Sequence, residues 1–471
     1  MSVSIEKLAW YIKEQFYHTT DLIVEVSDWA GKPAVICYFG VLMEQHTVHE
    51  QLELLKREQE KGNALWGESA VSTLTGFSLQ ELQEKVCAGN AAVVFPETNE
   101  MLLLDLPSFP VRSPEEPDNE HVIRGAHEGF VESISTNIGL IRKRLEIPEL
   151  VVKSVTIGTK TKTKISYVYL EHTTDNQLLE QLEHRLETAK AEVITSAGQL
   201  EDYIEDNVWS PFPQLLNTER PDRVVANLLE GRIAIFTDHA PTCLITPVNF
   251  FSFYQSPDDF NGRVVIGSFY RLVRLLSFAI ALFLPGMYIS VIGFHSEILP
   301  IELSRSVKMA IHNIPYRPII EAVILELFIE LIREASIRLP TPIGQTIGIV
   351  GGLVIGDAIV RAGLVSNLMV IVVAMTAISS FVVPSVEMNT TIRVLRFPFM
   401  LFASLFGFFG MAIASLLLFI HIANLSSLKQ PYLTPLVPFK PSRLKSIFFR
   451  TPFFKAHPVR KTSRKQSSIK E

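Results

Sequence analysis

Hydrophobic positions follow two regimes along the chain. Residues 272–428 form one apolar stretch in which charge is excluded for long runs. No charge falls in the 20 residues from Leu275 to Phe294, the 25 from Ala362 to Val386 or the 32 from Phe397 to Leu428. A bilayer core asks for roughly 20 apolar residues per helical crossing, because every backbone N–H and C=O has to be satisfied inside the helix. One such run could be the buried helix of a soluble protein. Three of them, separated by short polar breaks, predict a multi-pass α-helical membrane protein.

The first span opens at Arg271 and Arg274 and runs to about Phe294, with Pro285–Gly286 in its middle. Proline removes one ladder hydrogen bond, so a kink is expected there. Pro318–Arg338 differs. Glu326, Glu330 and Glu334 recur at intervals of four and draw an acidic stripe on an otherwise apolar helix, with Glu321 on a neighbouring face. In lipid each acid would cost a few kcal/mol. Three arrangements avoid that cost: an interfacial or cytosolic amphipathic helix, the wall of an aqueous ion path whose carboxylates concentrate cations, or pairing with another subunit. Gly344, Gly348, Gly352 and Gly356 follow at fours, three overlapping small-xxx-small steps that suit close helix packing. Asp357 and Arg361 then stand at the i,i+4 spacing of a local ion pair in the membrane region. With EMNTTIRVLR (387–396) as a loop and a last span from about 398 to 424, the pattern counts four crossings and leaves 318–338 interfacial or re-entrant. Six crossings require 318–338 to span and a further break within 397–428.

Residues 1–265 alternate strand-like and helix-like patterns instead. KPAVICYFGVLME (32–44) reads as a strand, HTVHEQLELLKREQE (46–60) as a helix, and 87–109 as two strands about a turn at Glu97–Asn99. The order recurs: KTKISYVYLE (162–171) is a strand, TTDNQLLEQLEHRLETAK (173–190) a helix with Thr173 or Thr174 as its N-cap, and 230–255 two strands about Asp238–Pro241. The copies are offset by about 130 to 140 residues, which predicts an N-terminal α/β region made of two related subdomains. Between them, PVRSPEEPDNE (110–120) has a linker's composition. EGFVESISTNIGLIRKRL (128–145) has an apolar helical stripe and ends on Arg142, Lys143 and Arg144, where cations suit the helix dipole. The domain boundaries are therefore 1–120, 121–265, a transmembrane domain at 266–430 and a tail at 431–471.

Charge sharpens this division. Residues 1–265 carry 22 Lys+Arg against 40 Asp+Glu, and residues 266–471 carry 21 against 9. An acidic soluble half argues against nucleic acid as a partner. The opening MSVSIEKLAWYIKEQF lacks the continuous apolar core of a signal peptide, so that half is expected in the cytoplasm. Residues 440–471 hold ten Lys/Arg and one acid, Glu471, which places the tail there too and makes the number of crossings even.

Chemistry-bearing motifs are missing. No phosphate loop, HExxH, GxSxG or CxxC appears, and Cys37, Cys87 and Cys243 are too scattered for a disulfide framework or a metal site. The acid–imidazole neighbours are His127–Glu128 and Asp238–His239, the latter reading as turn chemistry. No enzyme, cofactor or metal site is expected.

Four long stretches carry a family resemblance: NTERPDRVVANLLEGRIAIFTD (217–238), EGFVESISTNIGLIRKRL (128–145), REASIRLPTPIGQTIGIVGGLVIGDAIVRAGLVSN (333–367) and FYRLVRLLSFAIALFLPGMYIS (269–290). Together they resemble the A subunit of the GerA-type spore germinant receptors, from about residue 20 to 440. The resemblance implies a two-part cytoplasmic N-terminal domain and a polytopic domain in the endospore inner membrane. It also implies assembly with a transporter-like B subunit and a lipoprotein C subunit. In that family the complex answers amino acids, sugars or nucleosides, and nutrient binding falls mainly to the B subunit. The A subunit self-associates into an ion-conducting channel, with monovalent cations as candidate permeant ions. Glu326, Glu330 and Glu334 are then the candidate ion path. A secondary transporter and a membrane scaffold remain as alternatives, and the family also includes a spore membrane protein outside the nutrient-receptor operons. The chain departs from the family where Asp238-His239-Ala240-Pro241 stands for Asp-Gly-Thr-Pro, where Asp357 and Arg361 replace Gln and Glu, and at Asn367, often Pro.

Overall fold

A computed structural model describes residues 5–450 apart from 30–31, 44, 61–70, 77, 106–115, 118, 123, 190, 313, 341–350 and 353–355. The chain forms two compact units: residues 1–249 with 425–432, and residues 250–424 with 433–471.

Two antiparallel five-stranded sheets build the first unit. One runs in the order β1 (Leu22–Trp29), β2 (Lys32–Phe39), β4 (Ala91–Phe95), β5 (Glu100–Leu104), β3 (Val71–Thr75). The other runs β6 (Leu150–Ile157), β7 (Thr163–Leu170), β9 (Ile233–Thr237), β10 (Cys243–Thr246), β8 (Leu216–Thr218). Strand for strand the two orders coincide, so the duplication read from the sequence is a duplication of topology. β2, β4, β5, β7, β9 and β10 fall within the expected strand segments. β1, β3, β6 and β8 lie outside those segments. β1 is an edge strand whose Glu25, Val26 and Asp28 are exposed, and β8 has only three residues. Each sheet has its own core, built on Trp29, Ile36, Val93 and Leu102 in the first and on Ile165, Leu182, Leu200 and Ile235 in the second.

Helices fall close to their expected places, with better caps than the sequence suggested. The helix of the second subdomain is Asn176–Thr188, and Asp175 caps it by accepting the Gln177 N–H at 3.0 Å, in place of Thr173 or Thr174. Helix Ile134–Arg144 is capped by Ser133. Its final arginine pattern does more than suit a dipole. Arg142 is buried and reaches Asp21 of the first subdomain, at 2.6 Å from Nε and 2.9 Å from Nη2. Nη2 also donates to the Leu150 carbonyl, and the guanidinium lies 3.9 Å from the Phe39 ring centre. Thr20 N–H donates to Val152 O and Val152 N–H to Thr19 Oγ1, so backbone ties the same joint.

The first unit has one contributor from far along the chain. Leu425–Tyr432 folds as a small hairpin in which Ser426–Ser427 pairs with Gln430–Pro431. Leu428, at φ +45°, enters the hydrophobic core of the second subdomain. Ser427 Oγ donates to Gln214 O at 2.7 Å, Tyr432 Oη donates to Pro213 O at 2.7 Å, and Ser426 and the Lys429 N–H both donate to Asp206. Asp206 is also paired with Arg185.

The second unit is helical. Val264–Gly293 and Val386–Asn424 are long and apolar enough to cross a membrane. The expected loop at 387–396 is instead helical: EMNTTIRVLR contains no glycine or proline, and Met388, Thr391, Ile392 and Arg396 are buried. The break comes later. Gly407 leaves the helix at φ +62°, ψ −140°. A Cβ on Gly410 would overlap the Phe402 carbonyl oxygen, and Ala403 and Met411 lie equally close to Gly286. Residues eight apart in a straight helix are roughly 12 Å apart along the axis. The chain therefore reverses at Gly407, and 386–406 and 408–424 are two arms of a helical hairpin packed on Val264–Gly293. Leu401, Leu405, Phe409, Leu416 and Phe419 remain exposed on it, as suits a lipid-facing surface.

Candidate functional site: a buried charge cluster among the apolar helices

The site begins with a proline. Pro285 sits inside the first apolar helix, and its missing N–H leaves the carbonyl four residues back, that of Ala281, without a helical donor. Arg396, from the first arm of the hairpin, donates to that carbonyl from Nε at 3.1 Å. Its Nη1 donates to Glu326 Oε2. Both side chains are almost fully enclosed, 2% exposed for Arg396 and 1% for Glu326. One kink, one arginine and one acid thus tie three helices together.

The acidic stripe of Pro318–Arg338 is paired along its length. Glu330 takes Arg393 at 3.0 Å, and Glu334 takes Arg338 of its own helix at 2.6 Å. Glu326 pairing with Arg396 while Glu330 pairs with Arg393 sets the two helices antiparallel. Arg333 lies 4.2 Å over the Phe381 ring. Three guanidinium groups (Arg333, Arg393, Arg396) thus meet two carboxylates (Glu326, Glu330). The helix is in the apolar core, since Ala322 and Leu325 pack with Ile289, Met369 and Met400.

Pairing here is incomplete. Glu326 Oε1, Arg396 Nη2, Arg393 Nε and Arg333 Nε are buried with no hydrogen-bond partner among the described residues. A second buried acid stands one turn earlier: Glu321 Oε2 accepts the Ser366 N–H at 2.9 Å, Tyr288 Oη lies 3.1 Å from Ser366 Oγ, and Glu321 Oε1 is unpartnered. Unsatisfied buried charge in apolar surroundings is costly.

Other residues singled out in the sequence lie apart. Asp357 and Arg361 form their i,i+4 pair at 2.8 Å, largely exposed. Gly344 and Gly348 lie outside the described residues, while a Cβ on Gly352 or Gly356 would meet nothing within 4 Å. Arg271 and Arg274, expected at a membrane boundary, both bond to the buried Asp259, at 3.2 and 2.7 Å. In the first unit, His127 pairs with Glu116 at 2.8 Å and Glu128 with Arg144, so the sequence neighbours are not partners. The hydrogen bond from His127 holds the Glu116 carboxyl below its usual range. His239 takes φ +66°, the left-handed region that favours glycine, in an exposed turn. The cysteines are buried, and burial pushes the Cys37 thiol up to about 12, away from thiolate chemistry. Among the described residues no group of three or more His, Cys, Asp or Glu side chains is arranged to hold a metal ion.

The stripe is legible in its four-residue spacing. Arg393 and Arg396 are signalled in the sequence only by their own three-residue spacing on an unbroken helical pattern.

Residues 10–462 match the family model described as Bacillus/Clostridium GerA spore germination protein. The chain belongs to the GerA family, A-subunit type. Among its relatives, Spore germination protein B1 of Bacillus subtilis strain 168 is 40% identical over 394 residues, covering 83% of this chain and 80% of the relative. Uncharacterized membrane protein YfkQ of the same strain is 39% identical over 443 residues, covering 92% and 86%. Among solved structures, the N-terminal domain of the A subunit of the Bacillus megaterium spore germinant receptor GerK3 matches at 27% identity, over 53% of this chain and 96% of that one, with a TM-score of 0.39.

Proposed function

We propose that this GerA-family chain is the A subunit of a germinant receptor in the endospore inner membrane, and that it gates an ion-conducting path during nutrient-triggered germination. Its partners in this reading are a transporter-like B subunit, a lipoprotein C subunit and further copies of itself. The observation that carries the gating role is the half-satisfied Glu326–Arg396 pair on the carbonyl freed by Pro285. In the closed state the pair latches the acidic helix to the hairpin. Release frees Glu326, and with it the face shared by Glu330 and Glu334, to line the path.

Two further features support the arrangement. Leu425–Tyr432 is built into the unit that precedes the first span, so an even number of crossings lies between. The reversal at Gly407 and the packed acidic helix favour six. Both ends then share one side, the cytoplasmic one by the basic tail. The outward face of Gly352 and Gly356 is assigned to contact between copies. The Asp357–Arg361 pair closes the short helix Gly356–Arg361 beside it.

The pairing of Glu326 and Glu330 also suits a scaffold in which charges only hold helices together. Ion flux from the purified, reconstituted complex separates the two readings. Glu330→Gln keeps shape and most hydrogen-bonding capacity while removing charge. Germinant-triggered cation flux or selectivity should fall at unchanged abundance. Unchanged flux in Gln variants at 326, 330 and 334, singly and together, would favour the scaffold.

A further inference from the structure

Tryptophan is usually largely buried, yet Trp209 is 96% exposed. It does not sit on a loose loop. Asn207 Oδ1 accepts the Trp209 N–H at 3.1 Å, and Ser210 N–H donates to Asn207 O at 3.1 Å. Gln214 Oε1 accepts the N–H groups of Asp206 and Asn207 at 2.9 and 3.0 Å, while its Nε2 donates to Asn207 O at 2.7 Å. A rigid loop therefore presents the indole, with Val208 half exposed beside it.

The same loop grips the chain where it leaves the apolar hairpin. Asp206 accepts from Ser426 Oγ and from the Lys429 N–H, and Gln214 O accepts from Ser427 Oγ. Asn424 ends the last apolar helix, and two residues of chain reach at most about 7 Å. Thus the loop that displays Trp209 is hydrogen-bonded to residues that directly follow a membrane-length apolar run. Neighbouring acids are turned inward: Glu205 accepts the Gln214 N–H and Asp206 pairs with Arg185. What the loop tip offers is an amphipathic ring and a valine, the chemistry of a bilayer's headgroup layer.

We infer that Trp209, with Val208, inserts into the headgroup region of the lipid leaflet at which residues 408–424 end, anchoring the second subdomain to the bilayer surface. This rests on reading 408–424 as a membrane span. A protein partner covering the indole is the competing occupant, and the test tells the two apart.

The full-length chain is reconstituted into nanodiscs of phosphatidylcholine, with or without bromine on the acyl chains, and tryptophan emission is compared for wild type and Trp209→Phe. Phenylalanine at an exposed loop position leaves the fold intact, and the subtraction removes Trp10, Trp29 and Trp66. The wild-type-minus-variant emission should lose most of its intensity in bromolipid and be shielded from aqueous iodide. Equal bromolipid quenching in wild type and Trp209→Phe would overturn the inference, as would difference emission as open to iodide in discs as in free tryptophan. Shielding from iodide without bromolipid quenching would assign the indole to a protein surface and overturn it too. Failure of the chain to enter discs at all would instead remove the membrane span on which the inference rests.

Discussion

Each of the two units encloses an arginine–carboxylate pair, and the two pairs are finished differently. At the joint of the two sheet subdomains, Arg142 grips Asp21 with two nitrogens, gives a further bond to Leu150 O and lies on Phe39, while Thr19 donates to Asp21 at 2.6 Å and Arg142 Nη1 has no hydrogen-bond partner among the described residues. Among the apolar helices, Arg396 meets Glu326 through one nitrogen, and an oxygen of the acid and a nitrogen of the base are left unpartnered. The exposures are nearly equal, 2% and 4% for Arg142 and Asp21 against 2% and 1% for Arg396 and Glu326. Burial alone therefore does not distinguish the two pairs. Each pair leaves one guanidinium nitrogen unpartnered, and the difference lies in the acid: both Asp21 oxygens are bonded, while Glu326 Oε1 is not.

The largest effect is expected at the joint of the two sheet subdomains. Arg142→Ala strands a buried Asp21 and should cost about 3–5 kcal/mol, read as a large fall in the thermal midpoint of the full-length chain. A small fall would mean that the joint is not what holds the subdomains together. Next is the hairpin. Gly410→Ala drives a methyl into the Phe402 carbonyl, so the arms must separate, at roughly 1–3 kcal/mol for an overpacked site. Lower abundance in the membrane with an unchanged soluble midpoint is the expected result, and normal abundance would argue against a reversal at Gly407.

The smallest effect is acid-dependent and concerns the strap at Leu425–Tyr432. Burial by itself would raise the Asp206 carboxyl, but hydrogen bonds from Ser426, Arg185 and the Lys429 N–H outweigh it and hold the group below its ordinary value. A depressed carboxylate contributes stability above its unfolded value, near pH 4 for aspartate, and that contribution is lost as pH falls through the folded one. Docking of the strap should be flat from neutral pH to about pH 4 and weaken below. Hydrogen exchange over 425–432, corrected for intrinsic rates, checks this. Asp206→Asn should exchange faster already at neutral pH, and identical exchange in both proteins would remove Asp206 from the anchor.

How far these features were legible depends on whether they were local. The stripe of Glu326, Glu330 and Glu334 shows in its spacing, and the kink at Pro285 in a single residue. Which group would use the freed Ala281 carbonyl depends on a residue 115 positions away, and no local pattern carries that. The duplication was legible through its inner strands, whose apolar runs are buried on both faces. β1 was not, because Glu25 and Asp28 interrupt it. Gly407 is hidden in a phenylalanine-rich run that reads as one span, since a reversal inside a bilayer needs no polar residues when its two arms satisfy their own backbones. The polar strap LSSLKQPY looks like the end of a helix until its partners at Asp206 and Gln214 are known.

On the proposed function, Glu326–Arg396 is a latch rather than a rivet. Ion release from the reconstituted complex, without germinant, tests it most directly when wild type is compared with Glu326→Gln, Arg396→Gln and the double variant at measured membrane abundance. A latch predicts raised basal flux in each single variant, no further rise in the double because both changes release the same contact, and assembly preserved throughout. Basal flux at the wild-type level in all three variants, or loss of the assembled complex from the membrane in each, would contradict it.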